Sequence, residues 1–338
     1  MKKRSEMIDL KRYFTVCMLV IFLFVGISGI QTAVGADLEI TSEPDYSVGD
    51  YFEYELNEDE FIDAFGDMMD LGEEIESIEN VEVDTVRMEF TGEETVSAGT
   101  DSYDCLVEEL TMAMSFDLVL KNDSEVSQEL GADVISFEFD MSMSKWLTKE
   151  DHSLVKDEND FEMNFEYETD NGTTTMESQS DTVSTYSDPH SEYDIPLTVG
   201  KTWSTTTNKT VVETSKNRYD GGEWDQNEDT YNETSTINYE VVSEEDISVP
   251  AGDFSCLKIK SQENEDSEIE YSYLSENGVP AKRAFESEDG LTFTLELNNY
   301  ESSNLGSGGE DGGLPFIGGV IALSTLTVTA LIYEKRRR

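Results

Sequence analysis

Apolar and polar residues alternate through most of the central region, a period typical of strands that bury one face. The alternation predicts an opening strand at 46–56, then strands at 83–90, 104–120, 134–147 and 160–169. Beyond these, it predicts strands at 234–242, 254–261, 269–274 and 291–298. The pattern therefore indicates a mainly β fold.

One stretch departs from this period. Between residues 58 and 79 the apolar residues recur at helical spacing: Phe61, Phe65, Met68, Met69, Ile75 and Ile78. The stretch predicts one amphipathic helix, 58–79, packed on the first β region. The matching stretch 209–233 has no such stripe and carries Asp220-Gly221-Gly222, so it predicts a hairpin or a long loop.

Two parts of the chain resemble each other at an offset of 151 residues. The offset places Glu93-Glu94 over Glu244-Glu245 and Cys105-Leu106 over Cys256-Leu257. Farther along, Trp146 and Lys156 match Tyr273 and Lys282 at about 127 residues. The change predicts some 24 extra residues in the first copy, which an added hairpin around 118–140 would hold. We interpret the chain as a β module at 37–172, a polar linker at 173–193 and a second β module at 194–300.

The segment 247–259 (ISVPAGDFSCLKI), with 271–274 (YSYL) and 278–282 (GVPAK), resembles a module of prokaryotic exported proteins. The resemblance is to the half-barrels of the lipoprotein-carrier (LolA/LolB-like) type. It implies two tandem antiparallel half-barrel-like modules. With the helix that apolar spacing predicts on the first module and the apolar C-terminal segment, the expected fold is mainly β with one packed helix and a C-terminal transmembrane helix. The shared motifs look structural and imply no catalytic residues.

Both ends carry targeting signals. Residues 1–36 combine five bases, an apolar run and small residues, which predicts a secretory signal peptide; an uncleaved signal anchor is the alternative. A Gly/Ser-rich linker at 301–313 precedes 20 uncharged residues, 314–333, long enough to cross a bilayer, and a basic cytoplasmic tail, 334–338. This end resembles the sorting signals of archaeal surface proteins. Because Leu314-Pro315-Phe316 replaces their usual Pro-Gly-Phe, a retained span is favoured over processing.

The charge is extremely acidic. The net charge is -53, and the two ends hold nine of the 22 bases but only three of the 75 acids, which leaves 72 acids and 13 bases in 37–333. Such a field repels nucleic acid, which excludes it as a partner. Molar salt screens the self-repulsion to a range of about 3 Å, so we interpret the composition as adaptation to high salt.

The sequence predicts no catalytic residue, metal or cofactor. His152 and His190 are the only histidines, both in polar stretches without a nucleophile motif. Zinc spacing is absent, and the acids Asp220, Asp225 and Asp229 fit a solvated surface better than a calcium loop. Cys105 and Cys256 occupy equivalent places; buried free thiols are favoured and a bridge is the alternative.

Two sets of residues remain as site candidates. Four Asn-x-Ser/Thr sequons mark glycosylation candidates in an exported body: Asn122, Asn171, Asn208 and Asn232. Methionines spaced by two share one face of a strand, and with the predicted helix they could line an apolar pocket: Phe61, Phe65, Met68, Met112, Met114, Met141 and Met143. The alternative is that these side chains fill an ordinary core.

The leading hypothesis is a non-catalytic, glycosylated cell-surface protein of archaeal type, exported and anchored in the cytoplasmic membrane by its C-terminal helix. Its partners would be the membrane and envelope proteins. One alternative is a carrier of an apolar ligand or lipid on the concave face of the first module. An extracellular hydrolase is the other, with no residue selected for it.

Overall fold

The computed structural model describes residues 38–42, 46–56, 75–122, 124–169, 172–263, 269–276, 279–286 and 292–304. These residues form thirteen strands and one short helix, α1 at Glu125–Leu130. The strands are β1 Tyr51–Leu56, β2 Ile75–Val83, β3 Val86–Ala98, β4 Asp101–Leu120, β5 Val134–Thr148, β6 Leu154–Thr169, β7 Gly172–His190, β8 Thr202–Tyr219, β9 Asp225–Val249, β10 Gly252–Gln262, β11 Ile269–Ser275, β12 Pro280–Glu286 and β13 Thr292–Glu301.

All strands belong to one antiparallel sheet that closes on itself. Twelve of them form the ring in the order β4-β3-β1-β13-β12-β11-β10-β9-β8-β7-β6-β5, and β5 pairs back with β4. Strand β2 lies on the same edge of β4 as β3, next to the far half of β4. The chain passes between β2 and β3 at Asp84, whose backbone N–H donates to the carbonyl of Ala113 at 2.9 Å.

The mainly β prediction is confirmed, but the arrangement as two tandem half-barrel modules is wrong. The pairs β1–β13 and β7–β8 join the two parts of the chain into one barrel. Most of the predicted linker, 173–193, lies in β7 (Gly172–His190). Its inward positions are Met176, Ser178, Ser180, Thr182, Ser184 and Tyr186. Because the middle four are small and polar, the sequence shows no continuous apolar alternation there.

The predicted helix at 58–79 is wrong for the part of it that the structure describes. Residues 75–79 belong to strand β2, and 57–74 lie outside the described residues. The short helix α1 instead occupies the β4–β5 connection. The Ser124 side chain accepts the backbone N–H of Ser127 at its start, and Gly131 ends it with a φ of 67°.

The predicted membrane span, 314–333, also lies outside the described residues. Within the described ranges, no helix has the length and apolar character needed to cross a membrane.

The 151-residue offset relates hairpin β3–β4 to hairpin β9–β10. Their turns follow Ala98 and Val249, and Cys105 and Cys256 lie at equivalent points of β4 and β10. The extra residues of the first copy lengthen one hairpin: β4 has 20 residues against 11 in β10, and β5 has 15 against 7 in β11. Helix α1 lies at the tip of this longer hairpin.

The barrel interior is filled by one continuous hydrophobic cluster. It includes Phe52, Met88, Leu257 and Leu297, all fully buried. A short strap, residues 38–40, covers the end where β7 connects to β8. Ile40 and Leu197 exchange two backbone hydrogen bonds of 3.1 and 2.9 Å, and the backbone N–H of Leu38 donates to Glu244 Oε2 at 3.0 Å.

Because the barrel is one closed sheet, damage to one half should unfold both. We expect Leu257→Ala to lower the free energy of unfolding by about 2–5 kcal/mol. Denaturant titration with thiol labelling should show Cys105 and Cys256 becoming reactive in one shared transition. The exposed Val242→Ala, on neighbouring β9, should change stability by less than about 0.5 kcal/mol. Separate transitions for the two thiols would contradict a single barrel.

Candidate functional site

Charged side chains lie inside the barrel beneath the strap. Glu108 on β4 stands opposite Lys145 on β5, and Lys145 stands opposite Asp157 on β6. All three face inward and are buried, with exposures of 2%, 3% and 1%. A row of ionised groups at this depth needs mutual compensation, because an unpaired buried charge is costly.

The row continues around the opposite wall. Lys209 on β8 lies 3.4 Å from Glu233 on β9, and Arg283 on β12 lies 3.2 Å from Glu270 on β11. Glu192, from the β7–β8 connection, reaches to 3.9 Å from Lys145. Five members of the set are buried, whereas the side chains of Glu192, Glu233 and Glu270 keep exposures of 18%, 28% and 12%. We call the set the buried charge layer: Glu108, Lys145, Asp157, Glu192, Lys209, Glu233, Glu270 and Arg283. It contains five acids against three bases.

Burial and the surplus of acids shift the titration of this layer. Burial raises the pKa of Glu108 to about 7, against a smaller opposing effect of Lys145. It also raises the pKa of Asp157, whose Oδ2 accepts the Tyr186 hydroxyl at 2.7 Å. Burial, with Lys145 and Lys209 nearby, lowers the pKa of His190 to about 4. His190 is therefore neutral at neutral pH, and the raised pKa of Glu108 lets this carboxyl keep its proton to higher pH than a solvated glutamate does.

The methionines proposed as ligand contacts belong to the barrel core. Met112 stands opposite Met141, Met143 opposite Leu110, and Met114 opposite Phe139. Met114, Met141 and Met143 are buried within the main hydrophobic cluster, and Met112 packs against it. The other proposed contacts, Phe61, Phe65 and Met68, lie outside the described residues. No separate half-barrel provides the concave face that the carrier hypothesis required.

A groove of about 720 Å³ crosses the outer wall of β4–β7. One side is a straight row of outward residues that pair across strands, namely Glu53, Arg87, Thr111, Ser142, Asp160 and Asp181. The other side contains Ala113, Asp140 and Glu162, and Asp84 lies at the end where the chain passes from β2 to β3. Between them, Met112, Met141 and Phe161 form the floor and turn their side chains inward.

This groove, the acidic groove below, concentrates negative charge. Its lining contains six acids and one base, Arg87, which is already bound to Glu53 and Glu89. Asp160 and Asp181 face each other directly across β6 and β7. Partial burial, followed by a shared hydrogen bond with Asp181 and repulsion from it, raises the pKa of Asp160. Like charges in directly opposite positions destabilise a sheet, and a bound cation would relieve this repulsion.

Both body cysteines are free and buried, as favoured from the sequence. Burial raises the pKa of Cys105 to about 11 and that of Cys256 to about 12, so neither is a nucleophile at neutral pH. Cys105 lies in a small cluster on the outer face with Val107, Trp146 and Val155. The Lys156 ammonium sits 3.9 Å from the centre of the Trp146 ring system, and Trp146 Nε1 donates to Glu94.

The four sequons differ in setting. Asn122 lies in a turn, but its Ser124 is buried and caps helix α1. Asn171 lies outside the described residues. Asn208 and Asn232 lie within β8 and β9 and not in loops, and both are exposed.

The acids Asp220, Asp225 and Asp229 do not form a metal site. Asp220 ends β8, where its side chain accepts the backbone N–H of Thr175, whereas Asp229 is farther along β9. In the part of the chain that the structure describes, no three His, Cys, Asp or Glu side chains are placed to bind a metal together.

Sequence analysis missed the buried charge layer and the acidic groove. A signal for the layer was present: the body has only 13 bases, and Lys145 and Lys209 occupy positions that alternate in phase with the buried residues of their strands. The groove depends on register across six strands, β1 and β3–β7, which has no local signature. Comparisons with family models, curated proteins and solved structures found no match to this chain.

The buried charge layer predicts a specific pH dependence. Glu108 keeps its proton to higher pH in the folded chain than in the unfolded chain, so its contribution to stability falls as pH rises from about 4.5 to about 7. We expect Glu108→Gln to match the wild type near pH 4.5. Above pH 7 it should be more stable by up to about 3 kcal/mol. Denaturant unfolding across pH measures this difference.

The control is Glu109→Gln, which removes the neighbouring, outward-facing and half-buried carboxylate of the same strand. Its stability curve should run parallel to that of the wild type. Parallel curves for Glu108→Gln as well would show that Glu108 does not hold the proton.

Proposed function

We propose that this chain is an exported, membrane-anchored binding module of the cell envelope that works in molar salt and catalyses no reaction. Its binding site is the acidic groove, and its partner is an envelope protein that presents a lysine or arginine side chain. The observation that carries the proposal is the facing pair Asp160 and Asp181 on the groove wall.

The pair distinguishes the groove from a merely solvated acidic surface. Elsewhere on the outer face, acids tend to have a partner of another kind: Asp117 accepts from Asn80 and Ser136, and Glu177 pairs with Arg218. In the groove, Asp181 has Lys216 at 3.3 Å, whereas the side-chain partners of Asp160 within the described residues are Ser142 and the opposing Asp181. A cation bound here would contact the carboxylates of both Asp160 and Asp181.

The surrounding geometry suits a flat cationic group. Ser142 offers a hydroxyl next to Asp160, and Thr111 lies one strand farther along the row. Arg87 is occupied by Glu53 and by the Tyr51 ring, 4.0 Å away. Charge-assisted bidentate bonds are among the stronger polar contacts and remain effective where salt screens charges that are farther apart. We therefore favour a guanidinium over an ammonium group.

Location and salt adaptation are supported by the chain ends and by the charge. The segments 1–36 and 314–333 have the character of an export signal and an anchor. The 72 acids of the body oppose compaction unless salt screens them, which fits a protein exposed to a concentrated external medium. The inward Met side chains fill the core and leave the outer wall as the surface for binding.

A double variant tests the groove. Asp160→Asn with Asp181→Asn should weaken binding of an arginine-containing tripeptide by about tenfold or more in molar potassium chloride, because the cation loses both carboxylates. Fluorescence polarisation with a labelled peptide measures the dissociation constant. The matched control, Asp117→Asn with Glu138→Gln, removes two charges from the same wall outside the groove and should bind as the wild type does.

Equal losses in both double variants would mean that the peptide responds to net charge, and the groove would be rejected as its site. Binding that is absent from the wild type would reject the proposed partner chemistry.

Salt dependence is tested through the buried thiols. We expect Cys105 and Cys256 to resist iodoacetamide in molar salt and to be alkylated after dilution into low salt, because unscreened repulsion unfolds the barrel. Peptide mass spectrometry gives the labelled fraction at each residue. Sucrose is excluded from the protein surface but does not screen charge, so it is the control for solute exclusion. If screening is what salt supplies, the thiols should be alkylated in sucrose. Thiols that stay protected in low salt would contradict salt-dependent folding.

A further inference from the structure

Two sequons lie side by side on the outer face of the barrel. Asn208 stands opposite Thr234, and Thr210 stands opposite Asn232, so each sequon's threonine faces the other sequon's asparagine. The Thr210 hydroxyl donates to Asn232 Oδ1 at 2.8 Å, and the Thr234 hydroxyl donates to Asn208 Oδ1 at 2.7 Å. All four side chains belong to exposed residues.

We propose that Asn208 and Asn232 form a paired N-glycosylation site whose two oligosaccharides cover this part of the outer wall. Both hydrogen bonds use Oδ1 of the asparagine, whereas an N-linked sugar is attached at Nδ2. The folded sheet can therefore keep both bonds when both sugars are present. The middle residues, Lys209 and Glu233, point inward and pair in the buried charge layer, which holds the asparagines and threonines outward.

The surface around the pair gives an independent reason. The outward positions 204–210 and 230–238 of these two strands form one run of nine exposed residues without a charge, next to the exposed acids Glu228 and Glu240, although 29% of the chain is charged: Ser204, Thr206, Asn208, Thr210, Thr230, Asn232, Thr234, Thr236 and Asn238. Surface carboxylates help to keep proteins hydrated and soluble, and this part of the outer wall lacks them. We name these nine residues the uncharged patch. Sugars on its two asparagines would supply that hydration in place of carboxylates.

The other sequons do not share this arrangement. The hydroxyl of Ser124, which completes the sequon of Asn122, is buried and accepts the backbone N–H of Ser127. The geometry also places the two proposed attachment sites diagonally across neighbouring strands, about 7–8 Å apart. Two sugar chains so close would stand parallel and shield the patch together.

Mass spectrometry of the full chain tests the proposal, after export from a salt-requiring host that N-glycosylates its surface proteins. Glycopeptides should place one oligosaccharide on Asn208 and one on Asn232. Thr210→Ala should remove the first and Thr234→Ala the second, each lowering the mass by one oligosaccharide. Thr210→Ser keeps the sequon and should keep the sugar, which separates loss of the signal from failure to fold.

The matched controls are Thr206→Ala and Thr236→Ala. These threonines form the adjacent exposed pair, with a 2.9 Å hydrogen bond between their hydroxyls, and belong to no sequon. Their mass should differ from that of the wild type only by the substituted side chain. Loss of mass in these controls would indicate threonine-linked sugar and overturn the proposal.

A wild-type chain with the mass of the bare polypeptide would overturn it too. The inference rests on the proposed export but not on the acidic groove. An exported chain without added mass would reject the glycans and leave export standing, and peptide binding tests the groove separately.

Discussion

Closure of the sheet is the constraint on which the rest of the structure depends. Twelve strands form a ring only because β1 pairs with β13 and β4 with β5, so residues near the two ends of the body complete one wall together. An open sheet of this length would present two unpaired edges. It would also expose the inward face, where aromatic side chains, methionines and the buried charge layer lie together.

The buried charge layer follows from the same closure. Three of the 13 bases of an acid-rich body point into the barrel, where they compensate two buried and three partly buried carboxylates. Such an arrangement contributes little net stability compared with apolar packing, but it penalises any pairing of strands that separates the partners. Glu108 retains a proton into the neutral range because the compensation is incomplete.

Much of the β structure could be predicted from local pattern, because inward and outward residues alternate in most strands. The strands at 104–120 and 134–147 match β4 and β5 closely. Strand β7 was not predicted because the middle four of its six inward residues are serine and threonine, which carry no apolar signal. The duplicated motif was present, but whether two copies close separately or together depends on β1–β13 and β7–β8 pairing, which no local feature of Tyr51 or His190 reveals.

The candidate site was less accessible from the sequence. Asp160 and Asp181 are ordinary acids among 75 until the register of β6 and β7 places them opposite each other. The methionines seemed the more distinctive feature, yet their spacing of two meant a shared inner face and not a pocket. Residue type therefore did not locate the candidate site, whereas the pairing of residues across strands did.

Strands β8 and β9 make a different set of contacts on each face of the sheet around the two sequons. In both Asn208-Lys209-Thr210 and Asn232-Glu233-Thr234, outer residues bear polar amides and hydroxyls while the central residue reaches an ion pair inside. A slip of one residue by either strand would turn an asparagine into the barrel and a charged side chain out of it. The same slip would therefore disrupt the contacts on both faces of the sheet. Contacts on both faces of the β8–β9 hairpin therefore specify the same register. A misaligned strand would lose the ion pair inside the barrel and the hydrogen bonds on its outer face together.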